Sequence, residues 1–111
     1  MMIRETMNQL ESRIRKDTSL DEAKKAELLN LLSTLKAEVS GLAETHSEET
    51  QSIAGFAAVS IHEAMREAKN PQLLKLSLEG LSASVEGFES SHPKLVGIVN
   101  TICVTLSNLG I

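Results

Sequence analysis

The chain has 111 residues with 11 basic and 15 acidic side chains, a net charge of −4, two Phe, no Trp or Tyr, and one Cys. That length suits a single domain over residues 1–111, and the scarcity of aromatic side chains counts against base-stacking platforms and aromatic-lined cofactor pockets. The short basic cluster Arg13-Arg15-Lys16 is flanked by Glu11 and Asp17, too little clustered charge for a nucleic-acid face.

Charge is uneven along the chain. Residues 1–40 balance seven basic against seven acidic groups, whereas residues 41–111 hold Arg66, Lys69, Lys75 and Lys94 against eight acids. The start, Met1 through Asn8, has neither the apolar run of a signal peptide nor the acid-free bias of a transit peptide. Cys103 alone can form no internal disulfide. A cytoplasmic protein with a reduced, buried thiol is expected.

In chain order, Ile3, Met7, Leu10 and Ile14 recur at steps of four, three and four, which predicts an amphipathic first helix ending at Asp17-Thr18-Ser19. Ser19-Leu20-Asp21-Glu22 then has the spacing of a capping box. The next helix carries Leu28, Leu32, Leu35, Val39 and Leu42 on one stripe. The polar segment Thr45-His46-Ser47-Glu48-Glu49 offers a break, yet Ile53, Ala57, Ile61, Ala64 and Ala68 continue in phase, and no proline lies between Leu20 and Asn70. The phase favours one long helix over residues 20–69, roughly 75 Å at 1.5 Å per residue. A rod of that length needs a partner chain, as in a coiled coil.

Asn70-Pro71 marks a firm helix start, a cap followed by a proline at the first helical position. Leu74, Leu78, Leu81, Val85 and Phe88 form the stripe of a helix over residues 71–90. His92-Pro93 repeats the device and opens a last helix over 93–109, with Leu95, Ile98, Val99, Ile102, Leu106 and Leu109 inward. This helix has no charge after Lys94, so it must be covered. Its β-branched residues favour strand, but its apolar steps of three and four are helical. A membrane anchor over residues 95–111 is the alternative; the segment is short of the ~20 apolar residues a span needs and contains Asn100 and Asn108. The predicted fold is all-α, a bundle of four or five helices ending in a helical hairpin.

Chemistry-bearing motifs are sparse. Glu89-x-x-His92 is one copy of a di-metal half-site that needs two, and capping explains His92. His46 with Glu49, and His62 with Glu63 or Arg66, are helical neighbours expected at the surface. There is no zinc ligand set, Gly-rich phosphate loop or nucleophile elbow. No metal, cofactor or catalytic residue is expected. Small residues at Ala54-Gly55-x-Ala57-Ala58 and Gly80-x-x-x-Ser84-x-x-Gly87 allow close helix contact. Phe88, Ser91, His92 and Pro93 read as a structural turn: cap, fixed dihedral and reversal, with Phe88 as a staple onto Leu95 or Val96.

Two blocks resemble a small bacterial helical family, domain of unknown function 4404: Leu10-Glu11…Leu20-Asp21-Glu22-Ala23…Leu28-Leu29…Leu32…Leu35, and Leu81-x-x-x-Val85-Glu86-x-Phe88-Glu89-x-Ser91-His92-Pro93-x-Leu95 with Leu106-Ser107-Asn108-Leu109-Gly110-Ile111. The Phe-Glu-x-Ser-His-Pro turn is the more specific part. The resemblance falls outside residues 45–72, taken as an added helical stretch. It implies a short helical cytoplasmic protein and no particular activity. The expected function is self-association, as a homodimer, with Leu95, Ile98, Val99, Ile102, Leu106 and Leu109 as the candidate interface. Membrane association through residues 95–111, or a metal or small-molecule site near His46, His62 and His92, are the alternatives.

Overall fold

Five helices account for most of residues 3–109, which the computed structural model describes: α1 (Ile3–Lys16), α2 (Glu22–Leu42), α3 (Ser47–Ala64), α4 (Pro71–Ser84) and α5 (Pro93–Leu109). A single 3-10 turn, Glu86–Phe88, follows α4, and no strand occurs among the described residues. The Gly110-Ile111 end of the second motif block and Met1-Met2 lie outside these residues.

Each helix buries its predicted stripe. Met7, Leu10 and Ile14 of α1, Leu28 through Leu42 of α2, and Ile53, Ala57, Ile61 and Ala64 of α3 enter one core, joined by Leu74 and Leu81 of α4 and by Val85 and Phe88. Helix α5 contacts α2, α3 and α4, while α1 packs on α2 and α3. Two carboxylates are buried, Glu11 and Glu63; Glu11, 7% exposed, holds Lys36 at 2.8 Å and so ties α1 to α2. Asn8 Oδ1 also accepts from Lys36, at 3.2 Å. The Glu11 carboxylate is thereby paired as well as hydrogen-bonded, which removes most of its desolvation penalty.

The cap of α2 differs from the predicted capping box. Asp17 Oδ1 accepts from Ser19 N (2.7 Å), Ser19 Oγ (2.6 Å) and Leu20 N (3.0 Å). With the Ser19 hydroxyl engaged there, Asp21 caps instead, its Oδ1 accepting from Lys24 N at 2.8 Å. An ionised acceptor makes the stronger hydrogen bonds. The Ser19 hydroxyl, followed by burial acting in the opposite sense and by the Ser19 and Leu20 amides, leaves the Asp17 carboxyl below its ordinary value.

The long helix over residues 20–69 does not form. Helix α2 stops at Leu42 and α3 starts at Ser47; the molecule measures 37 × 25 × 23 Å, too short for such a rod. Thr45 N and His46 N both close onto Leu42 O (3.2 and 2.8 Å), and His46 leaves helical geometry at φ −133°, ψ 55°. The common phase of the two stripes reflects a shared core: Leu42 and Ile53 are both buried in it from separate helices. Ala68, predicted to continue the stripe, lies exposed beyond α3.

Asn70 caps α4 as expected, its Oδ1 accepting from Leu73 N at 3.1 Å with Pro71 at the first position. The Lys69 ammonium donates to Ala64 O at the end of α3, a favourable place for a cation. Helix α4 is shorter than the predicted 71–90: it ends at Ser84, whose hydroxyl donates to Leu81 O (2.6 Å), and Val85 begins the 3-10 turn.

Candidate functional site

The predicted turn residues converge on an aromatic cluster. Phe88, 6% exposed, meets the half-buried rings of His46 (centroids 5.3 Å apart) and His92 (5.5 Å) edge-on, and the two imidazoles are 6.4 Å apart. Edge-to-face packing at these separations is favourable for aromatic rings. Each imidazole is oriented by the hydroxyl just before it: Thr45 Oγ1 lies 2.8 Å from His46 Nδ1 and Ser91 Oγ 3.0 Å from His92 Nδ1. His92 N donates to Phe88 O at 2.8 Å, closing the turn before Pro93 starts α5. The cluster therefore joins the α2–α3 break to the α4–α5 reversal. It also bears on the break at residues 43–46, which holds no proline or glycine: His46 has a tertiary partner.

His62 is not part of this group. It sits sixteen residues along from His46, roughly 24 Å at the helical rise, hydrogen-bonded to Arg13 Nη1 through Nδ1 (3.1 Å) with Glu63 at 3.9 Å from Nε2. The predicted proximity of His46, His62 and His92 is thus limited to His46 and His92. Among the described residues, no group of three or more His, Cys, Asp or Glu is placed to hold a metal ion.

The candidate interface on α5 is covered within the chain. Leu95, Val99, Ile102 and Leu106 are buried in the monomer's core, while Ile98 and Leu109 are half-buried against it. An uncharged helix needs cover, and α2, α3 and α4 supply it. No helix among the described residues is long and apolar enough to cross a membrane.

A surface that the inward stripes left unmarked is the outer face of α3 and α4. Phe56 (40% exposed), Val59 (49%), Leu73 (43%) and Leu76 (56%) line one hollow with Glu63 and Ser77. The signal was present: 56/59 and 73/76 are apolar pairs three residues apart and off the buried stripes of their helices. Gly80 permits the approach, because a Cβ there would come within 2.3 Å of the Phe56 ring. The small-residue pattern around Gly80 thus seats an aromatic side chain from the neighbouring helix.

A groove of about 280 Å³ between α4 and α5 is lined by Leu74, Lys75, Leu78 and Cys103, among others. The Cys103 thiol donates weakly to Leu78 O at 3.8 Å, and burial pushes its pKa up. That leaves less thiolate at neutral pH and makes Cys103 a poor nucleophile.

No curated protein and no solved structure matches the chain. A family model matches residues 28–111, which includes the 45–72 stretch set outside the resemblance and omits residues 1–27. The match covers well over half of the sequence and the whole Phe88–Leu95 turn, and the chain belongs to the family described as Domain of unknown function (DUF4404).

Proposed function

We propose that the protein is a cytoplasmic, non-enzymatic helical protein that acts through protein–protein interaction, by self-association as a dimer across the outer face of α3 and α4. The observation that carries this is the grouping of Phe56, Val59, Leu73 and Leu76 around one surface hollow, each at least 40% exposed. Adjoining large apolar side chains on a small domain favour a partner surface, whereas apolar residues scattered singly need none. Glu63 and Ser77, both buried, complete the lining of the hollow beneath these side chains.

Light scattering coupled to size exclusion at micromolar concentration tests it. The wild-type protein is expected to run as a dimer and the Phe56→Ser/Leu76→Ser variant as a monomer with its helical content kept. A wild-type protein that stays monomeric throughout this range would refute self-association.

A further inference from the structure

We infer that the two copies meet with their α3 helices antiparallel, about a two-fold axis passing between Phe56 and Val59. This rests on the self-association reading and adds to it the orientation of the second copy.

The exposed face of α3 runs Glu49, Ser52, Phe56 and Val59 at steps of three, four and three, and the half-buried Arg66 lies past the helix end. That spacing is a helical seam able to pair with a second helix. A two-fold axis between Phe56 and Val59 sets Phe56 against the second copy's Val59 and brings the Glu48-Glu49 start of one α3 to the far end of the other. An isologous contact requires such a self-complementary patch.

Charge fixes the direction. The start of α3 is acidic: Glu48 and Glu49 are exposed there, as is Glu44 just before it. Two cations lie at that end: Arg4 of α1, which lines a hollow with Glu44 and Ser47, and Lys94 of α5, which is 4.0 Å from Glu38. Toward the other end lie Arg13 of α1, hydrogen-bonded to His62, then Arg66 and Lys69; Lys16 closes α1 nearby. Of the acids at that end, Glu63 is held by Arg66 at 2.8 Å, Asp17 takes the Ser19 donors, and Glu67 is exposed. A parallel pairing would set Glu48 and Glu49 against the same carboxylates of the second copy, and like charges at an interface are costly. The antiparallel pairing sets them against the basic end.

The test is sedimentation equilibrium on the full chain at low and high salt, comparing wild type with Glu48→Gln/Glu49→Gln. These exposed side chains are outside the core, and a thermal melt verifies that the variant folds. Antiparallel pairing predicts that neutralisation weakens the dimer about three- to tenfold at low salt, as expected for a few exposed charge pairs, with the difference fading at high salt. A dimer that tightens on neutralisation, or is unchanged at low salt, overturns the orientation. Glu49→Cys in a Cys103→Ser background gives a second readout: rapid disulfide formation between copies occurs only if the two positions are adjacent, and would overturn it also. A wild-type protein with no dimer at all fails the self-association reading instead, which keeps the two failures distinct.

Discussion

Helix α5 has no charge after Lys94, yet its one exposed large apolar residue is Val104; the α3–α4 hairpin carries Glu48, Glu49, Glu63, Lys75 and Glu79 and exposes Phe56, Val59, Leu73 and Leu76. The difference follows from where the apolar residues sit on each helix. In α5 the flanking Val96, Ile98, Cys103 and Leu109 pack against the core beside the buried stripe, so little apolar surface is left outside. In the hairpin, the inward stripe of each helix is used in the core, and Phe56 is drawn outward over Gly80 to close the gap between the two helices. Low charge in a helix thus marks burial in its own fold. A docking face is marked by apolar residues that fall off the buried stripe.

This contrast can be broken within α5 itself. Ile102 is 1% exposed and Val104 is 62% exposed. Truncating the first, Ile102→Ala, is expected to cost about 2–5 kcal/mol in urea melts through lost burial and a cavity. Val104→Ser, two residues on, should stay within ~0.5 kcal/mol. Comparable losses at the two positions would mean that α5 is packed on all sides by something beyond this chain.

At the reversal before α5, Pro93 fixes the first helical position and lacks an amide to satisfy. Pro93→Ala is expected to destabilise by about 0.4–1 kcal/mol through the unfolded state, since Phe88, His46 and His92 still hold the turn. A loss well above 2 kcal/mol in the same melts would make the proline, and not the aromatic cluster, the main constraint on α5.

A smaller effect is expected at the α1–α2 turn. Hydrogen bonds from Ser19 hold the Asp17 carboxyl below its ordinary value, so the folded state favours the charged form. The resulting stability is present above the unfolded carboxylate pKa of about 3.9 and is lost as pH falls through the lowered folded value. Asp17→Asn should therefore be less stable than wild type at neutral pH, with the gap narrowing in acid. A gap that widens on acidification would contradict the assignment.

How much of this was legible in the sequence depends on the range of the forces involved. The inward stripes, such as Leu28-Leu32-Leu35-Val39-Leu42, are local periodicities and read correctly, as did the Asn70-Pro71 start. The break at residues 43–46 was not legible, because no proline or glycine makes it; the ring of His46 turns toward Phe88 and His92, over forty residues away in the chain. The cap of α2 was misassigned because Ser19 and Asp21 compete for one role and Asp17, a short step upstream, decides between them. For the candidate site, Phe88 and His92 were expected in the turn, while the packing of Phe88 on His46 was not legible. Nor was the outer face of α3 and α4, because inward stripes say nothing about which leftover apolar residues adjoin across two helices.

The most direct test of the contrast between α5 and the hairpin is amide hydrogen exchange by mass spectrometry at low and high protein concentration. Residues 49–63 and 71–83 should gain protection as concentration rises, while residues 95–109 are already slow and unchanged at both. Gained protection confined to 95–109, with the hairpin unaffected, would contradict the account and return α5 to the role of interface.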